Sequence, residues 1–254
     1  MNAKTPILDR SQQMDERSWW DLWNTSYRTK DDNDPVSSEL FKRVSAVINK
    51  LVQTGTRRVL EIGCGAGRLS RLLAYSSYHG LDLSPAAIDL ACQKRKQISA
   101  PASASPATYE VADFHDWPLP ERPYDVVVCI DAVAYFRDQQ FALNKIAQSL
   151  RISGTLVLTT INPFVYWRIR RNWENGPVSH WLSRRELHTL VKQAGLKIER
   201  SYTIMPRGNL GILRLVNSPR LNDVFGPRFA AAIRRVKEHA GFGQYRVVVA
   251  RRAG

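Results

Sequence analysis

The sequence has few cysteines, no long apolar run and no clustered metal ligands. Its three cysteines, Cys64, Cys92 and Cys129, have neither the number nor the spacing of a disulfide framework or a zinc site. No stretch approaches the roughly 20 apolar residues that cross a bilayer, and residues 1–18 carry no signal-peptide core. We therefore expect a cytoplasmic protein without a bound metal.

Acidic residues are scarce after residue 150. Residues 1–150 hold 18 basic and 18 acidic residues, whereas residues 151–254 hold 19 basic and 5 acidic ones, so the whole net charge of +14 lies in the second part. Such an excess is typical of a surface that meets an anionic substrate, RNA or an acidic membrane, but it also occurs on a basic face that only meets solvent. Charge alone leaves these alternatives open.

The most informative stretch runs from Arg58 to Ser84. The apolar run 59–62 predicts a strand buried on both faces. Glycines then occupy alternate positions, which predicts a turn with positive φ and without Cβ atoms where a ligand would press on the backbone. These glycines are Gly63, Gly65 and Gly67.

The residues after the turn predict a helix and a second strand. The helix is indicated by the spacing of Leu69, Leu72 and Leu73. Asp82 ends the second strand, 19 residues after Gly63, where its carboxylate can accept both hydroxyls of a ribose. The stretch therefore predicts a site for a nucleoside-containing ligand.

The spacing of the glycines separates two kinds of nucleotide site. A dinucleotide site requires GxGxxG to seat a pyrophosphate at a helix N-terminus, whereas this chain has E-x-G-x-G-x-G with Glu61 inside the strand end. A carboxylate there suits a ligand with a cationic sulfonium and an amino-acid tail. The stretch resembles motif I and the following acidic motif of class I S-adenosylmethionine (SAM)-dependent methyltransferases, and the resemblance extends over about Val59 to Thr160. An NAD or FAD domain is the alternative interpretation.

The resemblance implies SAM as the cofactor and gives roles to individual residues. Glu61 and the turn glycines would place the donor, and Asp82 would hold its ribose. Asp113 would contact the adenine amino group and Phe114 would cover the ring, although Asp113 could instead cap the next turn. The cofactor-binding residues predicted in this way are Glu61, Gly63, Cys64, Gly65, Gly67, Asp82, Leu83, Asp113, Phe114 and Ile130.

The order of the predicted elements indicates an α/β fold. The run Tyr124–Ile130 is typical of a central parallel strand. By resemblance, the sheet is Rossmann-like, seven-stranded and mostly parallel, with flanking helices and an antiparallel last strand. We expect one methyltransferase domain over residues 1–254. It would comprise an N-terminal aromatic and helical cap (1–55), a cofactor-binding core (56–160), and substrate-side elaborations with the last strands (161–254).

Two aromatic or amphipathic segments lie outside this core. A cluster within otherwise irregular N-terminal residues, formed by Trp19, Trp20, Leu22, Trp23 and Tyr27, either docks the N-terminus or covers the pocket. Near the other end, one helical face is formed by Phe225, Phe229, Ile233 and Val236. That helix either packs on the core with a wet basic side or lies against acidic lipid headgroups.

The function indicated by these features is SAM-dependent methylation, on oxygen or nitrogen, of a small or lipid-linked metabolite. A hydroxyl acceptor needs a general base, and the candidates are His115, Asp131, Tyr135 and His180. Similar enzymes with metal-assisted or His-assisted transfer have Glu-His where this chain has Ala134-Tyr135, so neither mechanism is predicted. The alternatives are an RNA methyltransferase that uses the basic C-terminal part and a non-catalytic subunit with a cofactor fold. Peripheral contact with an acidic membrane is a further expectation, and the oligomeric state is left open.

Overall fold

The computed structural model describes residues 15–26, 35–52, 57–97, 106–166, 180–206 and 226–254, the last range without residues 227, 230, 234 and 237. The helices named here are α1 (Glu16–Ser26), α2 (Pro35–Val52), α3 (Pro85–Lys96), α4 (Gln139–Ser149), α5 (Pro163–Tyr166) and α6 (Arg184–Gln193). The strands are β1 (Arg58–Ile62), β2 (Ser77–Asp82), β3 (Ala107–Val111), β4 (Tyr124–Ile130), β5 (Leu150–Ile161), β6 (Leu196–Pro206) and β7 (Gly243–Arg252). Short 3-10 turns occur at Leu69–Arg71 and Val133–Tyr135.

The strands form one seven-stranded sheet in the order β3-β2-β1-β4-β5-β7-β6. Pairs among β1 to β5 are parallel, and β7 runs antiparallel to both of its neighbours. The predicted fold class is therefore confirmed. The strand order reverses between β1 and β4, and in open α/β sheets ligands bind beyond the carboxyl ends of the strands at such a point.

Alternate residues of the central strands enter two separate cores. One core lies on the side of α4 and α6 and includes Leu60, Val127 and Leu187. The other lies on the side of α2 and includes Val59, Val128 and Val44. Burial on both faces explains why β1 and β4 are continuous apolar runs, as parallel strands covered by helices require.

The prediction of a helix after the glycine turn is wrong. Only the 3-10 turn Leu69–Arg71 forms there, and Leu72 is 42% exposed. Residues 68–76 must run back along a five-residue strand, a length of about 16 Å. Nine residues of α-helix rise only about 13.5 Å, so a tighter 3-10 turn followed by extended chain fits the connection better.

The N-terminal aromatic cluster lies on a helix, within residues that the sequence predicts to be otherwise irregular. Helix α1 begins after Asp15, whose carboxylate accepts hydrogen bonds from the amide (3.0 Å) and hydroxyl (2.6 Å) of Ser18. This is the usual way in which an aspartate starts a helix. Trp19 is buried, and its ring stacks on Trp23 with centroids 5.4 Å apart. Tyr27 lies outside the described residues.

Helical residues between 226 and 239 do not pack as a core-facing helix. Phe229 is 44% exposed and Val236 is 68% exposed, so the core-facing interpretation is wrong for these two side chains. Phe225 lies outside the described residues. In the parts of the chain that the structure describes, no helix is both long enough and apolar enough to cross a bilayer.

Candidate active site

The glycine turn after β1 has the backbone that its sequence predicts. Gly63, Gly65 and Gly67 have φ angles of +73°, +51° and +62°. A Cβ on Gly63 would lie 2.8 Å from the Cβ of Ala132, and a Cβ on Gly67 would lie 2.9 Å from the ring of Tyr109. Glycine is therefore required both by the left-handed backbone and by the close approach of neighbouring residues.

Asp82 holds the glycine turn against the end of β2. Its Oδ2 accepts the amide N–H of Gly65 at 2.7 Å, and its Oδ1 accepts that of Ser84 at 3.0 Å. Leu83 joins Asp82 to Ser84, the residue that caps α3. These bonds fix the carboxylate of Asp82 at the carboxyl end of β2, between the glycine turn and the start of α3.

Glu61, the acidic residue of the E-x-G-x-G-x-G motif, is buried within the protein. Glu61 is 1% exposed, and its Oε2 accepts a hydrogen bond from the hydroxyl of Tyr78. Burial, followed by the charge of Glu61, holds the pKa of Tyr78 well above its usual range. Cys64 is also buried, and its thiol fills the space beside Gly80, where a Cβ would lie 2.8 Å from Sγ.

Asp113 organises the loop after β3. Its Oδ1 accepts the amide of His115 at 2.8 Å, and its Oδ2 lies 3.2 Å from Nη1 of Arg137. Phe114 is 4% exposed and packs in the core beside Trp117 and Phe136. The capping that was considered for Asp113 is present, and whether Asp113 and Phe114 also contact adenine stays a prediction.

His115 and His180 belong to other networks. Nε2 of His115 accepts the amide of Asp138 at 3.3 Å, and its Nδ1 lies 3.4 Å from Asp113. His180 is largely exposed, with Nε2 3.1 Å from Oε1 of Glu186. Both rings have a structural partner, which leaves Asp131 and Tyr135 as the better candidates for chemistry.

Asp131 carries the strongest sign of a functional role. It directly follows Ile130, the 7% exposed last residue of β4, and has a φ of +53°, which is rare outside glycine. Burial raises the pKa of its carboxyl to about 7, opposed by a hydrogen bond from the amide of Ile161. Oδ1 has no hydrogen-bond partner among the described residues. Strain, a perturbed pKa and an unsatisfied buried oxygen together mark functional sites.

Tyr135, whose hydroxyl lies near Asp131, has aromatic rings on two sides. Tyr135 is 8% exposed, and burial and the charge of Asp131 hold its pKa well above the usual range. Its ring meets that of Trp20 edge-on at 4.8 Å and lies 6.2 Å from that of Trp181. Residues from the N-terminal helix and from the segment before α6 therefore wall this end of β4.

Helix α1 is fixed across the carboxyl edge of the sheet by polar contacts. Oδ1 of Asp21 accepts the hydroxyl of Ser84 and, at 3.2 Å, the amide of Ala86 at the start of α3. Burial, followed by the charge of Asp113, raises the pKa of Glu16 in the same helix. Helix α1 is therefore docked at this end of the sheet, and whether its aromatic cluster also covers the pocket stays a prediction.

Sequence reasoning missed two residues beside this site, Thr160 on β5 and Arg246 on β7. Both are buried, at 1% and 7% exposure. The signal in the sequence was an arginine within the apolar run from Tyr245 to Ala250 of the last strand. Its meaning depends on β7 lying between β5 and β6, which local sequence does not specify.

The comparisons with known proteins agree with this geometry. Residues 36–201 match the model of a methyltransferase domain. The chain belongs to this methyltransferase family. The predicted family is confirmed at this level, and the activity of this chain and its methyl donor belong to the function proposed below.

Individual relatives share only part of their length with this chain. The phthiotriol/phenolphthiotriol dimycocerosates methyltransferase of Mycobacterium leprae (strain TN) is 31% identical over 128 residues, which are 49% of this chain and 43% of that protein. The ubiquinone biosynthesis O-methyltransferase of Photorhabdus laumondii is 26% identical over 174 residues, which are 64% and 67% of the two chains. The magnesium protoporphyrin IX methyltransferase of Synechocystis PCC 6803 with bound SAM has the same fold, with a TM-score of 0.62 at 17% identity over 94% of this chain and 98% of that one.

Proposed function

We propose that this protein transfers a methyl group from SAM to an oxygen, or alternatively a nitrogen, of a small or lipid-linked metabolite. The observation that carries the proposal is Asp131 at the end of the central strand, whose Oδ1 is buried without a partner among the described residues and whose carboxyl has a pKa of about 7. SAM, when bound, supplies a methyl group on a sulfonium that a nucleophile can attack directly. The chain's own residues hold the donor, deprotonate the acceptor and exclude water.

The donor cradle fits this cofactor on observations of this chain alone. Gly65 has a φ of +51° and carries no Cβ, so a ligand can lie against the backbone there, whereas Ala132 and Tyr109 fill the space beside Gly63 and Gly67. Asp82 stands where ribose hydroxyls would donate, at the end of β2 and in direct contact with the amide of Gly65 in the turn. Asp113 would accept from the adenine amino group, and Glu61 would place negative potential near the cationic end.

Asp131 is suited to act as the general base. With a pKa of about 7 it is ionised in roughly half of the molecules at neutral pH, and this match of pKa to working pH favours proton transfer. Its Oδ1 is not engaged by any described residue, so it can accept a proton from an acceptor hydroxyl. Enclosure by Trp20, Tyr135 and Trp181 removes competing water.

The names of the relatives support the choice of acceptor class. One is an O-methyltransferase of ubiquinone biosynthesis, and another acts on phthiotriol or phenolphthiotriol dimycocerosates. Because these alignments cover only 43% and 67% of the relatives, the acceptor of this chain is part of the proposal. A lipid-linked acceptor would bring the protein to a membrane surface, where the exposed Phe229, Val236, Arg228 and Arg235 offer apolar and basic contacts.

Methyl transfer can be tested with isotope-labelled SAM. The purified protein is incubated with labelled donor and with separate small-molecule, lipid and RNA fractions of its source cells. We expect label in the lipid or small-molecule fraction together with release of S-adenosylhomocysteine. Gly65→Val is the matched inactive variant, because a branched side chain at a φ of +51° distorts the donor cradle.

Two results would contradict the proposal. Label that enters only RNA would assign the basic C-terminal part to nucleic-acid binding. Calorimetry that shows tight NAD binding and no response to SAM or S-adenosylhomocysteine would exclude the methyl donor itself.

A further inference from the structure

Polar side chains occupy one row across the carboxyl edge of the sheet. Asp131 follows Ile130, whose partner on β5 is Thr159, so the next position on β5 is Thr160. Thr160 in turn pairs with Arg246 of β7. Since neighbouring strands lie about 4.8 Å apart, the Cα atoms of Asp131 and Arg246 are separated by about 10 Å. The residues that sequence analysis missed thus lie beside the proposed base.

Arg246 is a buried cation for which the described part of the chain offers no partner. It is 7% exposed, and its guanidinium makes no hydrogen bond or ion pair with the described residues. Burial lowers its pKa, and so does the like charge of Arg184 at the start of α6. A buried charge that is neither paired nor hydrogen-bonded is strongly unfavourable, so a structure that retains one has a use for it.

The hydroxyl of Thr160 shares this property. Opposite residues of an antiparallel pair point to the same face of the sheet, so Thr160 and Arg246 project together on the side of α6. Thr160 is 1% exposed, and its Oγ1 has no hydrogen-bond partner among the described residues. An unsatisfied buried hydroxyl beside an unpaired guanidinium provides donors for one and the same acceptor group.

Two other charged side chains, Lys145 and Glu186, lie on helices of the same side of the sheet and have partners. Lys145, which is 8% exposed, donates to the carbonyl of His115 at 2.8 Å and lies 5.5 Å above the ring of Phe114. Glu186, two residues after Arg184, accepts the amide of Ser183 at 2.7 Å and pairs with His180. The contrast identifies Arg246 as a cation that awaits an external anion.

We propose that Arg246 and Thr160 bind a carboxylate group of the methyl acceptor. A guanidinium presents two parallel N–H donors that match the two oxygens of a carboxylate, and the hydroxyl adds a third donor. One carboxylate charge neutralises the buried guanidinium of Arg246, whereas the second charge of a phosphate dianion would have only Arg184, an exposed and therefore hydrated cation, to pair with. This inference rests on the methyl transfer proposed above and narrows its acceptor to an acid.

The same segment of chain borders both ends of such an acceptor. The amide of His180 donates to the carbonyl of Ala134 at 3.3 Å, and Trp181 packs near Tyr135. Four residues after His180, Arg184 reaches the surroundings of Arg246. An acceptor whose carboxylate and reacting atom are separated by one ring or a short chain would span the row from Arg246 to Asp131.

Binding of simple probes tests the site without knowledge of the natural acceptor. Benzoate, benzamide and phenyl phosphate are titrated by calorimetry against protein saturated with S-adenosylhomocysteine. We expect benzoate to bind more tightly than benzamide and phenyl phosphate. Arg246→Gln should weaken benzoate at least about tenfold because a charge-assisted pair of hydrogen bonds is lost, and Thr160→Val should weaken it by a smaller factor.

The matched control is Arg251→Gln on the same strand. Arg251 pairs with Glu199 at 2.8 Å, so its replacement removes an arginine of β7 but not the proposed receptor. Affinity for S-adenosylhomocysteine should stay unchanged in all three variants. Arg246→Met guards against a folding defect: its melting temperature should rise, because an unpaired buried charge is replaced by an apolar chain of similar length.

The outcomes separate this inference from the proposed function. No benzoate binding to the wild-type protein, equal binding to Arg246→Gln, or tighter binding of phenyl phosphate would overturn the carboxylate site. A lower melting temperature of Arg246→Met would also count against it, since it would show that Arg246 stabilises the fold. Failure of the wild-type protein to bind S-adenosylhomocysteine would instead contradict the methyltransferase proposal itself.

Discussion

Trp20 meets Tyr135 edge to face, with ring centroids 4.8 Å apart and planes at 90°. This contact joins the N-terminal helix to the turn that follows the central strand, across more than a hundred residues of sequence. The geometry is the favourable one for two aromatic quadrupoles. We propose that α1 covers the site that contains Asp131.

Trp20→Ala should open this cover. We expect kcat/KM to fall at least about tenfold, because water enters and the acceptor is held less firmly. Trp23→Ala is the control, since its described ring contact is with Trp19 and not with Tyr135. Steady-state kinetics and thermal melts of both variants distinguish the two roles: equal losses of activity would show that α1 contributes only stability.

Asp131→Asn should lose activity and gain stability. Removal of a general base typically lowers kcat by about 10²- to 10⁴-fold. The wild-type rate should rise with pH through about 7, as the carboxyl ionises. A pH-rate profile without this limb would exclude Asp131 as the base.

The stability effect of Asp131 has a definite sign. Between the ordinary aspartate pKa of 3.8 and about 7, the unfolded chain has lost a proton that the folded chain retains, so the free energy of unfolding falls as pH rises. Above that window the penalty is constant, at most about 4 kcal/mol for three pK units. Asp131→Asn should therefore melt higher than the wild-type protein at pH 8, and the difference should shrink towards pH 4. An identical difference at both pH values would contradict the raised pKa.

Asp82→Ala should weaken both donor binding and the apo fold. Loss of a charged acceptor for ribose hydroxyls should cost about 1.5 to 3 kcal/mol of SAM binding. The amides of Gly65 and Ser84 also lose their acceptor, so the apo protein should be less stable by about 1 to 3 kcal/mol. Asp82→Asn, which keeps one acceptor oxygen, should be intermediate, and Asp89→Asn on the exposed side of α3 should be neutral. Intact SAM affinity in Asp82→Ala would leave the residue a purely structural role.

Sequence predicted the features that depend on neighbouring residues. The glycine turn needs positive φ within five residues, and the run Tyr124–Ile130 needs only its own side chains to be a buried strand. Asp131 could be chosen as a candidate because it directly follows such a strand. The lack of a partner for its Oδ1 could not be predicted, because it depends on which groups the other strands bring to the carboxyl, such as the amide of Ile161.

The missed features depend on which elements become neighbours. Arg246 looks like one more basic residue until β7 is inserted between β5 and β6, where no described acid faces it. The helix expected after Gly67 follows its leucine spacing, but the short connection to β2 overrides that pattern. Local periodicity is a weak guide when chain length decides which geometry can span the gap.

The exposed helical residues near the C-terminus allow a test of whether the anionic partner is lipid or RNA. Phe229 and Val236 are seven residues apart and share a helical face, and the exposed Arg228 and Arg235 flank them. Apolar side chains next to basic ones suit an anionic bilayer, where each basic residue contributes about 1 kcal/mol. We expect vesicles with about 30% anionic lipid to retain the protein and neutral vesicles to leave it in solution. Phe229→Ser with Arg235→Glu should abolish retention, whereas Ile152→Ser, at a 62% exposed apolar residue near the start of β5, should not.

RNA binding, by contrast, would not require Phe229 and would fall steeply with salt as counterions are released. Salt-sensitive RNA binding without vesicle retention would therefore contradict a membrane-associated acceptor.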